Sequence, residues 1–319
     1  MKGAMGGELS ARRKLMDVLR ISYTLPFVLA SVTGVALALT FSQEWMIAVL
    51  IPIDVFFLAL FVNFSNDYFD HRSGVDRLRF QDTEISGRAR NVLSERFYWS
   101  GNAFDNGLIT VRQGRLVMAI LAAIAVFFSI PIFLYGGWIV LILGGVGFFL
   151  AYFYTAPPLN LGARGLGELD VAISFAFMSF FSYFVIVQEF SWEAVLISIC
   201  VGLGVGLMRI VDEMTGYEAH LKAGEKDLCV IMGLERAVDL VTTLLVVLYI
   251  AAGVLVLLDA TYVLLFLTVP TAVRVVLYLR NRGDELRFIR PVPEIFKVAV
   301  KTEILVVISL IVRTVLTSA

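Results

Sequence analysis

Apolar residues run along this chain in blocks of about 20, the length an α-helix needs to cross a bilayer, and polar breaks separate the blocks. Nine such runs predict nine helices, near 21–40, 44–66, 113–135, 137–155, 168–188, 192–212, 235–258, 260–280 and 294–316. The breaks are of two kinds. Ser42-Gln43-Glu44, Gly136-Gly137, Glu189-Phe190-Ser191 and Asp259-Ala260 are short and contain no Lys or Arg, whereas the others are longer and basic. Nine crossings place the two ends of the chain on opposite sides of the membrane. The first run follows MKGAMGGELSARRKLMDVLR, is long enough to span and has no cleavage site behind it, so it is expected to persist as helix one.

Composition agrees with the pattern. Of 319 residues, 59% are hydrophobic and 17% charged, and the mean hydropathy of +0.85 is far above that of a soluble domain. The fold class expected is an all-α polytopic membrane protein, one domain over residues 1–319. Charge then orients it: 23 of the 26 Lys and Arg lie in the N-terminal segment and the longer breaks, leaving Lys297, Lys301 and Arg313 in the last run. The positive-inside rule makes the N-terminus and the long loops cytoplasmic. Loop 67–112 is too long for a plain connection, and its Tyr68, Phe69, Phe97, Tyr98, Trp99 and Phe104 argue against disorder. It is expected to cap the membrane face together with loops 156–167 and 213–234, after helices two, four and six. A net charge of -1 and no basic patch with interleaved aromatics exclude nucleic-acid binding. Cys200 and Cys229 match no metal or redox spacing and are expected to be free.

Two acidic clusters carry the chemistry. Helix two ends in Asn63-Phe-Ser-Asn66-Asp67-Tyr-Phe-Asp70-His71-Arg72-Ser-Gly74-Val-Asp76, where Asn63, Asn66, Asp67 and Asp70 recur at three and four and so share a helix face. Acids crowded at a membrane boundary repel one another, and a bound cation is the usual compensation. Carboxylate and amide oxygens without a Cys or a His pair suit Mg²⁺, which bridges carboxylates to substrate phosphates. The plainer alternative is a solvated acidic helix end. Helix six ends in Arg209-Ile-Val-Asp212-Glu213-Met-Thr-Gly216-Tyr217-Glu218-Ala-His220-Leu-Lys222-Ala-Gly224-Glu225-Lys226-Asp227. Four helices separate the two clusters, so both reach one face. Arg72, Arg209, Lys222 and Lys226 could then contact the phosphate oxygens of a departing diphosphate, or merely snorkel at the interface.

At these residues the chain resembles the UbiA superfamily of intramembrane prenyltransferases. NDYFDHRSGVD is similar to its first acidic motif, N-D-x-x-D with a further Asp downstream, and Asn63 with Gly74-x-Asp76 resembles the branch that prenylates 1,4-dihydroxy-2-naphthoate in menaquinone biosynthesis. Gly107-Leu-Ile-Thr110, Tyr154-Thr-Ala-Pro-Pro-Leu159 with Arg164-Gly-Leu-Gly-Glu168, and Ala223-Gly224-x-Lys226-x-Leu228 support the same branch. The second motif departs from that branch's N-N-x-x-D-x-E-x-D-x-x-x-G. Asp212-Glu213 fall on its Asn pair and Glu218 on its Glu, while Gly216 and His220 occupy its Asp positions. Either Asp212, Glu213 and Glu218 take over metal binding, or His220 offers a nitrogen that Mg²⁺ poorly accepts; the former is expected.

The resemblance implies nine helices around a central cavity, and ionisation of a Mg²⁺-bound polyprenyl diphosphate followed by attack of a lipophilic aromatic acceptor on the prenyl cation. Asn66, Asp67, Asp70, Asp76, Asp212, Glu213 and Glu218 would position metal. Asp70, Asp212, Arg72, Lys222, Lys226 and Tyr154 would act at the reacting groups, Tyr154 as an aromatic wall for the cation. Asn63, Arg72, Arg209, Lys222, Lys226 and Arg164 would hold substrate. Two other readings stand beside this one. A glycerol phosphate ether acceptor would make it an archaeal-type lipid synthase, and ion-coupled transport would place acids near mid-bilayer. A phosphatidyl transferase would need D-G-x-x-A-R, which is absent.

Overall fold

The computed structural model describes residues 11–74 and 102–318. Asp76 and much of the expected cap 67–112 therefore lie outside the described residues. The described residues form helices and no strand: α1 (Ala11–Val18), α2 (Leu25–Ala38), α3 (Trp45–Ser73), α4 (Val111–Phe153), α5 (Gly167–Val187), α6 (Trp192–Ala223), α7 (Leu228–Met232), α8 (Leu234–Leu258), α9 (Val269–Arg280) and α10 (Pro291–Ser318). A 3-10 segment, Ala260–Thr268, leads into α9. Seven of the helical stretches among the described residues are long and apolar enough to cross a membrane.

Local chemistry sets the ends. Thr110 and Gln113 form a reciprocal capping box at the start of α4, and the hydroxyl of Ser191 accepts from the Ala194 amide at the start of α6. α3 and α6 stop at Gly74 (φ 81°) and Gly224 (φ 73°), left-handed positions that cost a glycine little. Each glycine ends the helix that carries an acidic cluster. α4 is interrupted where the short break was expected: Gly137 has φ 72° and ψ -164°, so two helical stretches meet there. α6 runs beyond the expected boundary at 212, and the stretch foreseen as loop 213–234 is helical to Ala223 and again over Leu228–Met232.

α5 packs against α6 and α2, and α3 against α4, with α8 and α10 behind α6. The closest approaches rest on small residues, as in membrane bundles. A Cβ added at Gly202 would collide with the Ala172 carbonyl oxygen, and one at Gly34 with that of Ser179. Large apolar side chains cover the outside, with Leu134 82%, Trp138 71% and Leu257 86% exposed. Such a surface belongs in lipid, and the protein is an integral membrane protein.

Candidate functional site

A cavity of about 590 Å³ lies among α2, α3, α4, α5 and α6. Most of its wall is apolar, including Phe61, Phe133, Phe148, Phe175 and Phe181. One end is polar. There the late turns of α3 bring Asn63 and Asn66, the end of α4 brings Tyr154, the first turn of α5 brings Asp170, α6 brings Arg209, and Tyr23 precedes α2. A second polar feature lies part-way along the wall. Ser129 Oγ is 3.0 Å from each carboxylate oxygen of Asp54, and Asp54 sits twelve residues before Asn66 on α3, about 18 Å along the axis.

The first acidic cluster is held in place by partners the sequence did not single out. Asp67 is 1% exposed; Arg20 Nη1 meets its Oδ1 at 2.5 Å, and the Ala103 amide donates to Oδ2 at 3.3 Å. The Asn102 side chain donates to the Asp67 carbonyl at 2.8 Å, and Thr155 Oγ1 to Asn66 Oδ1 at 2.7 Å. Asp70 is half-buried one turn beyond Asn66. His71 Nδ1 lies 2.6 Å from Asp105 Oδ1. Arg72 is exposed, 6.0 Å from the Tyr68 ring centroid.

The second cluster is an ion-pair relay on the last turns of α6. Arg209 pairs with Glu213 and, at 3.3 Å, with Asp212, and its guanidinium lies 5.6 Å from the Tyr154 ring centroid. His220 Nδ1 lies 2.6 Å from Asp227 Oδ2 and 3.2 Å from Glu213 Oε2. Glu213, His220 and Asp227 are all buried, with ligand atoms within 4.8 Å of one another. Glu218 is exposed; five residues turn an α-helix by about 140° past Glu213, onto another face. Lys222 and Lys226 are exposed too, and Arg164 donates to the Pro158 carbonyl at 2.9 Å. Of the expected site residues, Asn63, Asn66, Tyr154 and Arg209 line the cavity. Asp67, Asp70, Asp212 and Glu213 follow within about a turn of these, whereas Glu218, Arg72, Arg164, Lys222 and Lys226 are not brought to its wall.

Burial pushes the Tyr154 hydroxyl well above the usual tyrosine range; Arg209 opposes this, and the carboxylates of Glu213, Glu168 and Asp70 reinforce it. Tyr154 thus stays a protonated donor, and acids of both clusters act on it. Burial would raise Asp227, yet the His220 hydrogen bond and the Val230 and Cys229 amides outweigh it and hold its carboxyl below the usual range. Burial raises the Cys229 thiol, so it offers no thiolate to a metal.

The donor set tests the expected metal. Asn66 at the cavity's polar end and Asp67 and Asp70 within about a turn of it are hard oxygen donors of the kind that fits Mg²⁺, with Asp67 already met by Arg20 and the Ala103 amide. Glu213 and Asp227 already face Arg209 and His220, and a set containing imidazole suits Mg²⁺ poorly. Arg20, Asp105 and Asp170 were missed by sequence reasoning, and Thr155 and Asp227 lay inside quoted motifs without being given a role. Asp170, like Asp54, had a usable signal as an acid inside an apolar run.

Comparison with known proteins shows the family and the fold. A family model described as the UbiA prenyltransferase family matches residues 102–288. The 2-carboxy-1,4-naphthoquinone phytyltransferase of Synechocystis sp. is 26% identical over 269 residues, 82% of this chain and 81% of that protein. The 1,4-dihydroxy-2-naphthoate octaprenyltransferase of Bacillus subtilis is 26% identical over 218 residues, 67% and 65% of the two chains. In fold, a UbiA homolog from Archaeoglobus fulgidus bound to GPP and Mg²⁺ gives a TM-score of 0.61 at 18% identity, covering 92% of this chain and 99% of that one. A digeranylgeranylglyceryl phosphate synthase gives 0.64 at 14% identity, covering 95% and 99%.

Proposed function

The chain belongs to the UbiA prenyltransferase family, and from that premise we propose that it transfers the isoprenyl group of a polyprenyl diphosphate to a lipophilic hydroxylated aromatic, a quinone precursor of the 1,4-dihydroxy-2-naphthoate kind. One observation carries the reading: a long apolar cavity ends in Asn63, Asn66, Tyr154 and Arg209, with the N-D-x-x-D acids immediately beyond. An apolar tail and a charged head find their proper surroundings at the two ends of one space. Two naphthoate prenyltransferases among the relatives favour an aromatic acceptor over a glycerol phosphate ether.

Asn66, Asp67 and Asp70, with Asp76 beyond the described residues, would hold Mg²⁺, which neutralises diphosphate charge when bound. Arg209, on the cavity wall, would stabilise the negative charge building on the leaving group. The Tyr154 ring, already beside one cation, presents an aromatic face without a basic lone pair to the allylic centre. The apolar wall excludes water from that centre. Asp212 and Glu213 hold Arg209 in position. Glu218, Arg72, Arg164, Lys222 and Lys226 would act on the approaching head group from outside the cavity.

The reading counts the stretches on either side of Gly137 as two crossings and adds α10 to the other long apolar helices, which would make nine. With the N-terminus and the acid-bearing end cytoplasmic, residues 1–319 make one domain whose loops cap the site. The test is direct. Purified protein in lipid nanodiscs with Mg²⁺, labelled prenyl diphosphate and 1,4-dihydroxy-2-naphthoate should yield a prenylated naphthalenoid that Asp70→Ala does not make. Product from a glycerol phosphate ether alone would overturn the assignment.

A further inference from the structure

The polar end of the cavity holds more hydrogen-bonding capacity than the protein itself uses. Asn63 Nδ2, Tyr154 Oη, Asp170 Oδ1 and Ser174 Oγ are each buried without a hydrogen-bond partner among the described residues, and all four side chains line the cavity. Native interiors leave few such groups unmatched, so four around one space mark a place for a polar ligand. Asp170 and Asn63 are only 7% and 8% exposed. Asp170 and Ser174, four apart on α5, share a face.

The set is chemically lopsided in an informative way. Asn63, Tyr154 and Ser174 can donate, and Arg209 adds a cation beside them, all of which suits a diphosphate. Asp170 does not suit one: a carboxylate repels a diphosphate and needs a donor. It fits the other reactant. Resting on the reading of the site as one for a hydroxylated aromatic acceptor, we propose that Asp170, positioned beside Ser174, binds the acceptor's ring hydroxyl and takes its proton during transfer.

The step balances. The hydroxyl proton passes to Asp170 as a ring carbon forms its bond to the allylic carbon, whose bond to the diphosphate oxygen breaks with the electron pair leaving on diphosphate. The ring carbon then loses its own proton to the released diphosphate. Its electrons restore the aromatic ring, and Asp170 returns its proton to the ring oxygen. An acid in the first turn of a helix can also serve the helix dipole alone. That role would alter stability without distinguishing the two substrates.

The experiment uses the full chain in nanodiscs and the isosteric Asp170→Asn, with Asp170→Ser as a second variant should the first not fold. Transfer to a weakly acidic naphthol should fall about 10²- to 10⁴-fold, the range for a general base. The donor KM and the melting temperature should stay unchanged, and the acid limb of the pH profile should disappear. An acceptor whose hydroxyl is already ionised at the assay pH should recover most of the loss. Equal losses with both acceptors, a loss of only a few-fold, or a shift confined to the donor KM would overturn the assignment. Should the unaltered protein turn over no aromatic acceptor, the reading of its function fails, and Asp170 is then judged by binding. Weaker affinity of Asp170→Asn for a naphthol probe would support the contact, and equal affinity would refute it.

Discussion

His220 stands where its resemblance to the naphthoate branch expects an aspartate, and it faces Glu213 and Asp227 inside the protein. Removing one partner of a buried ionic group strands the others, at about 3–5 kcal/mol. His220→Ala should therefore lower the melting temperature sharply, and a variant melting like the parent would show that the relay adds no stability. Asp227 fixes the pH sense. Its carboxyl is held below the ordinary aspartate value near 3.9, so its contribution is complete above that value and is lost as pH falls through the depressed one. The Asp227→Asn variant should flatten the acid edge of a stability profile. Asp70→Ala should abolish transfer at unchanged melting temperature. Asp67→Ala should lower both, because it removes the buried carboxylate that Arg20 and the Ala103 amide meet. The difference between two neighbouring acids was not legible in N-D-x-x-D. The spacing shows that they share a face, but which acid meets Arg20 depends on a segment 47 residues away.

At the scale of elements, most of the helices were legible because each apolar run is as long as a bilayer is thick. The break at Gly136-Gly137 was read correctly from composition and recurs as the non-helical Gly137. The end of α6 was not. Its apolar run stops near residue 212, but Arg209–Glu213 and Glu213–His220 are spaced to pair along one face, so the helix carries the acids inward until Gly224 ends it. Loop composition alone could not show that. The α5–α6 contact permits a sharper test. Gly202→Val forces a side chain against the Ala172 backbone and should destabilise by about 1–3 kcal/mol through overpacking, measured by thermal unfolding; Gly253→Val, where a Cβ meets nothing within 4 Å, is the control.

For the whole molecule, the expected orientation rests on 23 one-sided basic residues and can be tested with little background, because Cys200 and Cys229 are both buried. Glu218→Cys should react with a membrane-impermeant thiol reagent only after cells are opened, and Glu189→Cys should react in intact cells; the reverse pattern would invert the topology. The Asp54–Ser129 pair gives the interior a graduation. An isoprenoid tail fed from the polar end meets a largely apolar wall until it reaches a carboxylate about 18 Å down α3, where dewetting an acid opposes further entry. The cavity would then act as a ruler. Replacing Asp54 by Leu should leave short donors unaffected and admit longer ones, so that one side chain far from the breaking bond decides the length of the lipid that is made.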